Sequence, residues 1–136
     1  ELGVDRAILD TRGVHEPFAA GADPGGADPA LLEAHQRKPV LPAPAIVTGR
    51  RPVLRYVANP ELAANDARLA AWIDEVVRWL DEGREPYLFM HVPNDFHAPR
   101  LARRFFEQLA ARVDVGTLPS WPGEHRQPSQ VGLFSD

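Results

Sequence analysis

Three times along this chain a short apolar run is followed at once by polar side chains and then by a segment with helical character. The three units are Ala7-Ile8-Leu9 with Asp10-Thr11-Arg12, 53–58 with Asn59, and Tyr87-Leu88-Phe89-Met90 with 91–97. The alternation of strands and helices favours parallel pairing through right-handed crossovers. Because the loops after parallel strands converge on one side of the sheet, the polar groups predict a site at the strand ends.

The length of the chain predicts that it forms only part of a larger domain. The chain has 136 residues and three convincing strands, whereas a closed (β/α)₈ barrel typically takes about 250 residues. It starts at Glu1 without an initiator Met and reaches the first strand almost directly. We therefore predict a partial TIM-barrel-like α/β fold, in which 1–122 form the C-terminal half of a larger barrel and 123–136 form a flexible tail.

Three strands with two apolar faces cannot bury themselves. We therefore expect this part of the barrel to lie against its own missing N-terminal half or against another copy of the chain.

Helices are predicted after the second and third strands. Apolar residues at i, i+3, i+4 and i+7 spacing predict a helix over about 65–80, ended by Gly83. The last helix is expected to begin near His97 or Ala98, with Pro99 in its first turn.

The segment 13–50 is rich in Pro, Gly and Ala and lacks clear periodicity. Loops this long are usually functional or mobile, so we predict a mobile loop here. Asp28 as a helix cap and Pro29 at the first helical position predict one short helix within it, ending near Arg37.

The composition argues against several classes of protein. A net charge of −4 argues against broad electrostatic binding of nucleic acid, which depends on excess Lys and Arg. The absence of cysteine excludes disulfides and thiolate metal sites and favours a cytoplasmic protein. No apolar stretch reaches the roughly 20 residues that span a bilayer, so no membrane association is expected. The sequence identifies no cofactor.

The combination of motifs in this chain resembles the YecE-like family, the domain of unknown function numbered 72. The resemblance covers most of the chain from Leu9 to Phe134, in order and at compatible spacing. It rests on Asp10-Thr11-Arg12, Leu54-Arg55-Tyr56, the helix from Trp72 to Trp79, 89–95 followed by Ala98-Pro99, and Leu118-Pro119-Ser120-Trp121-Pro122-Gly123. The resemblance implies a TIM-barrel-like fold whose earlier strands would precede Glu1, and it brings no established activity.

Asp10, Arg12 and Arg55 are the first candidate site residues. Arg12 could bind a phosphate or carboxylate through its two-pronged guanidinium, while Asp10 accepts protons or orients that group. A structural ion pair between Asp10 and Arg12 is an equal alternative. Arg55 alternates with apolar neighbours, so it is expected to point into the barrel, either binding a ligand or forming a buried bridge to Asp10 or Glu61.

The densest polar group follows the third strand. His91 and Asp95 are candidates for acid–base catalysis near neutral pH, and Asn94 and His97, with Asn59 after the second strand, are candidates for ligand binding. The two histidines lack the helical i, i+4 spacing of well-known zinc motifs, so a metal-free polar pocket is favoured. Asn94 and Asp95 could equally cap the last helix.

The tail contains Gln130, Leu133 and Phe134 in the order of the Gln-x-x-Leu-Phe peptide that holds bacterial sliding clamps. In such a peptide the Gln forms hydrogen bonds while Leu and Phe fill an apolar pocket. Five-residue patterns also arise by chance, and Leu133 and Phe134 could instead dock on the barrel.

Three classes of function follow from these observations. The first is an enzyme that binds an anionic or phosphorylated ligand at the carboxyl ends of the strands, with Arg12 and Arg55 as anion-binding residues. The second is a nucleic-acid repair or processing protein recruited to the sliding clamp by its tail. The third is a non-catalytic binding protein.

The tail hypothesis predicts a specific pair of measurements on the full chain. A recruitment peptide should bind a purified bacterial clamp at about micromolar affinity, because it has few anchors and loses chain entropy on binding. We expect Leu133→Ala/Phe134→Ala to abolish the calorimetric binding signal and to leave the melting temperature unchanged. A large drop in melting temperature, or no binding by either protein, would favour docking of these side chains on the domain.

Overall fold

The computed structural model describes residues 4–19 and 26–120. Three strands, β1 (Ala7–Asp10), β2 (Val53–Val57) and β3 (Tyr87–His91), form a parallel sheet in the order β1-β2-β3. In its register Asp10 lies opposite Tyr56, and Val57 lies opposite His91. The predicted α/β class with parallel strands is therefore confirmed.

Four α-helices accompany the strands. They are α1 (Arg12–His15), α2 (Pro29–Arg37), α3 (Asp66–Asp81) and α4 (Ala98–Ala110). Single 3-10 turns follow α1 and precede both α3 and α4. The helices predicted after β2 and β3 are confirmed to within one or two residues, since their apolar spacing and caps are local signals.

The predicted caps of α2 and α3 are also confirmed. The Asp28 carboxylate accepts a hydrogen bond from the Ala30 N–H at 2.7 Å, with Pro29 at the first helical position. Gly83 follows α3 with a φ of 73°, a conformation that costs glycine little. Within 13–50 the structure therefore contains α1, a 3-10 turn and α2, while the mobility of that segment stays a prediction.

Helices α3 and α4 cover one face of the sheet. Side chains alternate along each strand, and Ile8, Leu54 and Tyr56 point from the sheet into the apolar layer below these helices. The buried side chains that meet them from the helices are Leu69, Trp72, Ile73, Val76, Trp79, Leu101, Phe105 and Leu109. This layer is the main core of the described chain.

The other face of the sheet is covered only near its carboxyl end. There Val57 packs with Val14 of α1 and with Leu31 and Ala34 of α2. On the same face, toward the amino ends of the strands, Phe89 is 58% exposed and Tyr87 is 51% exposed. We call this uncovered part, with Arg55, Tyr87 and Phe89, the open face.

Arg55 lies on the open face, in register with Leu9 and Phe89. It is exposed, and among the described residues it has no hydrogen-bond or ion-pair partner. The alternative of a buried bridge from Arg55 to Asp10 or Glu61 is wrong. In the register of the sheet Asp10 is paired with Tyr56, the residue next to Arg55. Because successive side chains of a strand point to opposite faces, Asp10 lies on the opposite, helix-covered face.

Gly13 brings α1 against the end of β2. A Cβ atom at this position would lie 2.8 Å from the Asn59 amide nitrogen and 2.9 Å from the Val57 carbonyl oxygen. Those atoms belong to the backbone and cannot move aside as a flexible side chain can. Only glycine therefore allows this approach, which holds the neighbouring Arg12 at the carboxyl edge of the sheet.

None of the helices within 4–19 and 26–120 is long and apolar enough to cross a membrane.

Candidate functional site

Asp10 is buried at the carboxyl end of β1 and accepts four hydrogen bonds. Two come from the Arg12 side chain, from Nε at 2.9 Å and from Nη2 at 2.7 Å, and one comes from the Arg12 backbone N–H at 3.0 Å. The fourth comes from Trp72 Nε1 of α3 at 2.7 Å. The carboxylate is thus surrounded by donors on the side of the sheet that faces the core.

These donors decide the charge of Asp10. Burial alone raises the pKa of the carboxyl group, but the hydrogen bonds from Arg12 and Trp72 outweigh burial and hold the pKa below its usual value of 3.8. Asp10 is therefore ionised at neutral pH and its acceptor sites are occupied. This arrangement favours an orienting role for Asp10, and its predicted catalytic role stays a prediction.

Arg12 presents its remaining edge to solvent. Its side chain is 45% exposed, and its Nη1 group has no partner among the described residues. The hydrogen bonds from Arg12 to Asp10 raise the pKa of the guanidinium, so it stays charged. It opens onto a cleft of about 250 Å³, which we call the arginine cleft, lined by Arg12, Glu16, Ala64, Ala67, Arg68 and Ala71.

Arg68 is a site residue that the sequence reasoning missed. It projects from the first turns of α3 into the arginine cleft, its side chain is only 12% exposed, and it forms an ion pair with Glu16. Burial lowers the pKa of Arg68; the negative charge of Asp10 opposes this shift and the positive charge of Arg12 adds to it. The sequence pattern that could have identified it is an arginine with Ala64 and Ala71 four residues before and three residues after it. Residues at this spacing lie on the same side of a helix, and short alanine side chains leave a groove beside the guanidinium.

A second cleft, of about 350 Å³, lies beyond the ends of β2 and β3. We call it the asparagine cleft, and its lining residues are Asp28, Leu31, Asn59, Pro60, Glu61, Asn94 and His97. The side-chain Oδ1 atom of Asn59 accepts a hydrogen bond from the Glu61 N–H at 2.8 Å, and that of Asn94 accepts one from the Phe96 N–H at 3.2 Å. Three of the predicted ligand-binding residues, Asn59, Asn94 and His97, thus share one cleft.

Asn65 fixes the loop that carries Asn59. Its buried side-chain oxygen accepts from the Tyr56 hydroxyl and from the Asn59 N–H, both at 2.9 Å. Its amide nitrogen donates to the carbonyl oxygens of Asn59 at 3.0 Å and Glu61 at 2.9 Å. The sequence reasoning missed this contribution, since the partners of a buried amide are set by tertiary packing.

His91 and Asp95 form a pair at the end of β3. The His91 Nδ1 atom lies 2.8 Å from an Asp95 carboxylate oxygen, and the two side chains are 27% and 76% exposed. A carboxylate in this position orients the ring and leaves Nε2 to exchange protons with a ligand. His91 lines a third cleft, with Pro93 and residues of α2.

The structure therefore places five of the predicted site residues in three clefts along the carboxyl edge of the sheet, while Asp10 and Asp95 line none of them. Arg12 is in one, three polar residues are in the next, and His91 is in the third. Arg55 belongs to none of them. Within 4–19 and 26–120 no three His, Asp or Glu side chains are grouped to hold a metal ion. Gln130, Leu133 and Phe134 lie outside the described residues.

The comparisons of this chain with known proteins agree on one family. The model of the family described as "Protein of unknown function DUF72" matches residues 1–126. The UPF0759 protein YecE of Escherichia coli K12 is 31% identical over 123 residues, and that of Escherichia coli O157:H7 is 30% identical over 123 residues. Each alignment covers 90% of this chain but 42% of the relative, so the chain spans less than half the length of these relatives. No solved structure gives a significant match.

The Trp72–Asp10 hydrogen bond leads to a stability prediction. Trp72→Phe keeps an aromatic ring but removes the donor to a buried carboxylate, a bond to a charged group that is typically worth about 1.5–3 kcal/mol. Trp79→Phe is the matched control, because Trp79 Nε1 is buried without a partner among the described residues. We expect Trp72→Phe to lower the free energy of unfolding in urea by about 1–3 kcal/mol more than the control does.

The pH dependence of the same variant checks the mechanism. Because the folded pKa of Asp10 is depressed, its stabilising contribution is present above the unfolded value near 3.8 and is lost as pH falls through the folded value. Removing the Trp72 donor raises the folded pKa. Acid unfolding of Trp72→Phe should therefore begin at a higher pH than that of Trp79→Phe, and equal acid transitions would contradict the assigned role of the bond.

Proposed function

Because the chain belongs to the DUF72 family, whose description names no activity, we propose a function from its own residues: it binds a small anionic ligand at the carboxyl end of β1. The observation that carries the proposal is the fixed Arg12 guanidinium. Its inner edge is held by the buried Asp10 carboxylate, and its outer edge faces the arginine cleft.

A guanidinium held in this way is suited to anion binding. A free arginine side chain loses rotamer freedom when it binds a ligand, whereas Arg12 is already ordered by two hydrogen bonds to Asp10. The half-exposed position keeps water and ligands able to reach the outer nitrogen. Asp10 is then the orienting residue and Arg12 the ligand-binding residue.

A catalytic form of this proposal uses His91 and Asp95. The carboxylate of Asp95 orients the His91 ring, and the free Nε2 atom could take up or release a proton on the ligand. Strands β1 and β3 are separated by two strand spacings, roughly 10 Å in total, and the Asp10 and His91 side chains lie on opposite faces of the sheet. A ligand that contacts both Arg12 and His91 would extend across the asparagine cleft, where Asn59, Asn94 and His97 offer polar groups along its length.

The proposal also includes the closed barrel and a cytoplasmic location. Parallel strands in sequential order, with α3 and α4 on one face only, are what a segment of a (β/α)₈ barrel would present. The open face would then become part of the barrel interior, so that Arg55 and Phe89 point inward. The absence of cysteine is what favours the cytoplasm.

The open face predicts association of this chain in solution. Exposed Tyr87 and Phe89 on an uncovered sheet face leave apolar surface that a second copy, or the remaining part of the barrel, would bury. Sedimentation velocity should show self-association that Phe89→Lys reduces, while Phe96→Lys, a control at an exposed aromatic of the loop after β3, leaves it unchanged. A monodisperse monomer at high concentration would contradict the prediction.

The other two classes of function stay as alternatives. Recruitment to the sliding clamp rests on the sequence of the tail alone. A non-catalytic binding protein would use the same arginine cleft without proton transfer at His91.

The anion-binding proposal is tested with inorganic phosphate as the probe, at constant ionic strength. Amide chemical-shift titration should place the binding site around Arg12 and Glu16. We expect Arg12→Gln to weaken phosphate binding at least tenfold, because a charge-assisted hydrogen-bond donor is lost. Arg112→Gln is the matched control, since Arg112 is as exposed as Arg12, is paired with Asp74 and lines none of the three clefts. Unchanged binding by Arg12→Gln, or no binding by the wild-type chain, would contradict the proposal.

A further inference from the structure

We infer that Arg68 is a second anion-binding residue of the arginine cleft and that Glu16 is its internal counter-ion, displaced when a tetrahedral oxyanion such as a phosphate group binds. The inference rests on the proposed anion binding at Arg12 and extends it to the class of ligand. It explains why an arginine of α3 whose side chain is only 12% exposed lines the same cleft as Arg12.

The two members of the Arg68–Glu16 pair differ in how firmly they are held. The Arg68 side chain, on α3, is 12% exposed, whereas the Glu16 side chain is 57% exposed on a single 3-10 turn. The Glu16 carboxylate therefore has more room to turn into water than the Arg68 guanidinium has. An incoming anion would therefore replace the carboxylate of Glu16 and retain Arg68.

The charges of the cleft support this exchange. Arg12 and Arg68 bring two positive charges to one cleft, and the Asp10 carboxylate is already engaged by its four donors. Glu16 is then the remaining negative charge in the cleft lining. When Glu16 turns away, the two guanidinium groups and Asp10 leave one net positive charge facing solvent, which an anion can neutralise.

The geometry favours a tetrahedral anion over a carboxylate. Asp10 occupies the Nε–Nη2 edge of Arg12, so a ligand receives donors from the outer edge of Arg12 and from Arg68 on α3. A carboxylate has two oxygens in one plane and suits one two-pronged guanidinium edge. A phosphate group has oxygens on several sides and can accept from both arginines. Ala64, Ala67 and Ala71 have short side chains that leave space for it.

The inference predicts opposite effects for the two members of the ion pair. With inorganic phosphate as the probe, Glu16→Gln should tighten binding about fivefold, since the ligand no longer competes with an ion pair of ordinary surface strength. Arg68→Gln should weaken binding at least tenfold, because a charged donor to the ligand is lost. Asp74→Asn and Arg112→Gln make equivalent changes in an exposed ion pair outside the three clefts and should leave binding as in the wild-type chain.

Two further measurements keep the test decisive. Arg68→Lys retains the charge if Arg68→Gln fails to fold, and it should bind phosphate more weakly than the wild-type chain because the planar pair of donors is lost. Acetate should bind at least tenfold more weakly than phosphate or sulfate, since it carries less negative charge and has fewer oxygens to accept from the two arginines. Comparable binding of phosphate and of phenyl phosphate would identify a phosphomonoester as the ligand class, whereas exclusion of phenyl phosphate would identify the free ion.

The outcomes separate this inference from the proposed function. If the wild-type chain binds phosphate and only Arg12→Gln weakens it, the proposed function stands and the role of Arg68 and Glu16 is overturned. If no variant binds phosphate at all, both fail. Weaker binding by Glu16→Gln would show that Glu16 supports the site instead of occupying it and would overturn the exchange.

Discussion

The buried carboxylate of Asp10 is the interaction on which the carboxyl edge of the sheet depends. It binds Arg12 and also Trp72, which lies 62 residues after Asp10 in the chain, and so links β1 to the helix that follows β2. A buried charge is tolerated only when donors surround it, and here the hydrogen bonds outweigh the cost of burial and lower the pKa. The same carboxylate that accepts a hydrogen bond from α3 also orients the arginine at the proposed site.

Backbone packing completes this arrangement. Gly13 lets α1 approach the end of β2 more closely than any side chain would permit, and Asn65 ties the following loop to Tyr56. Arg12 and Asn59 are therefore placed by neighbours that never touch a ligand. A rigid supporting layer of this kind is what allows a polar cleft to keep its shape without ligand.

The two faces of the sheet differ in how far they are covered. One face is closed by α3 and α4, while the other exposes Phe89 and Tyr87 beside Arg55, which has no hydrogen-bond or ion-pair partner in the described part of the chain. The relatives are more than twice as long as the matched segment. Arg55 is exposed on the uncovered face, so its charge is hydrated and does not require a buried partner. The predicted bridge to Asp10 or Glu61 assumed that Arg55 lies inside a closed barrel.

The sequence by itself determined the strands, the two long helices, the caps at Asp28 and Gly83, and the concentration of polar groups at the strand ends, because each depends on neighbours only a few residues away. Tertiary structure alone decided which of those polar groups meet. It paired Asp10 with Trp72, turned Arg55 to the opposite face, divided Arg12, Asn94 and His91 among three clefts, and brought Arg68 beside Arg12. These contacts depend on how helices pack across a sheet, and local spacing does not carry that information.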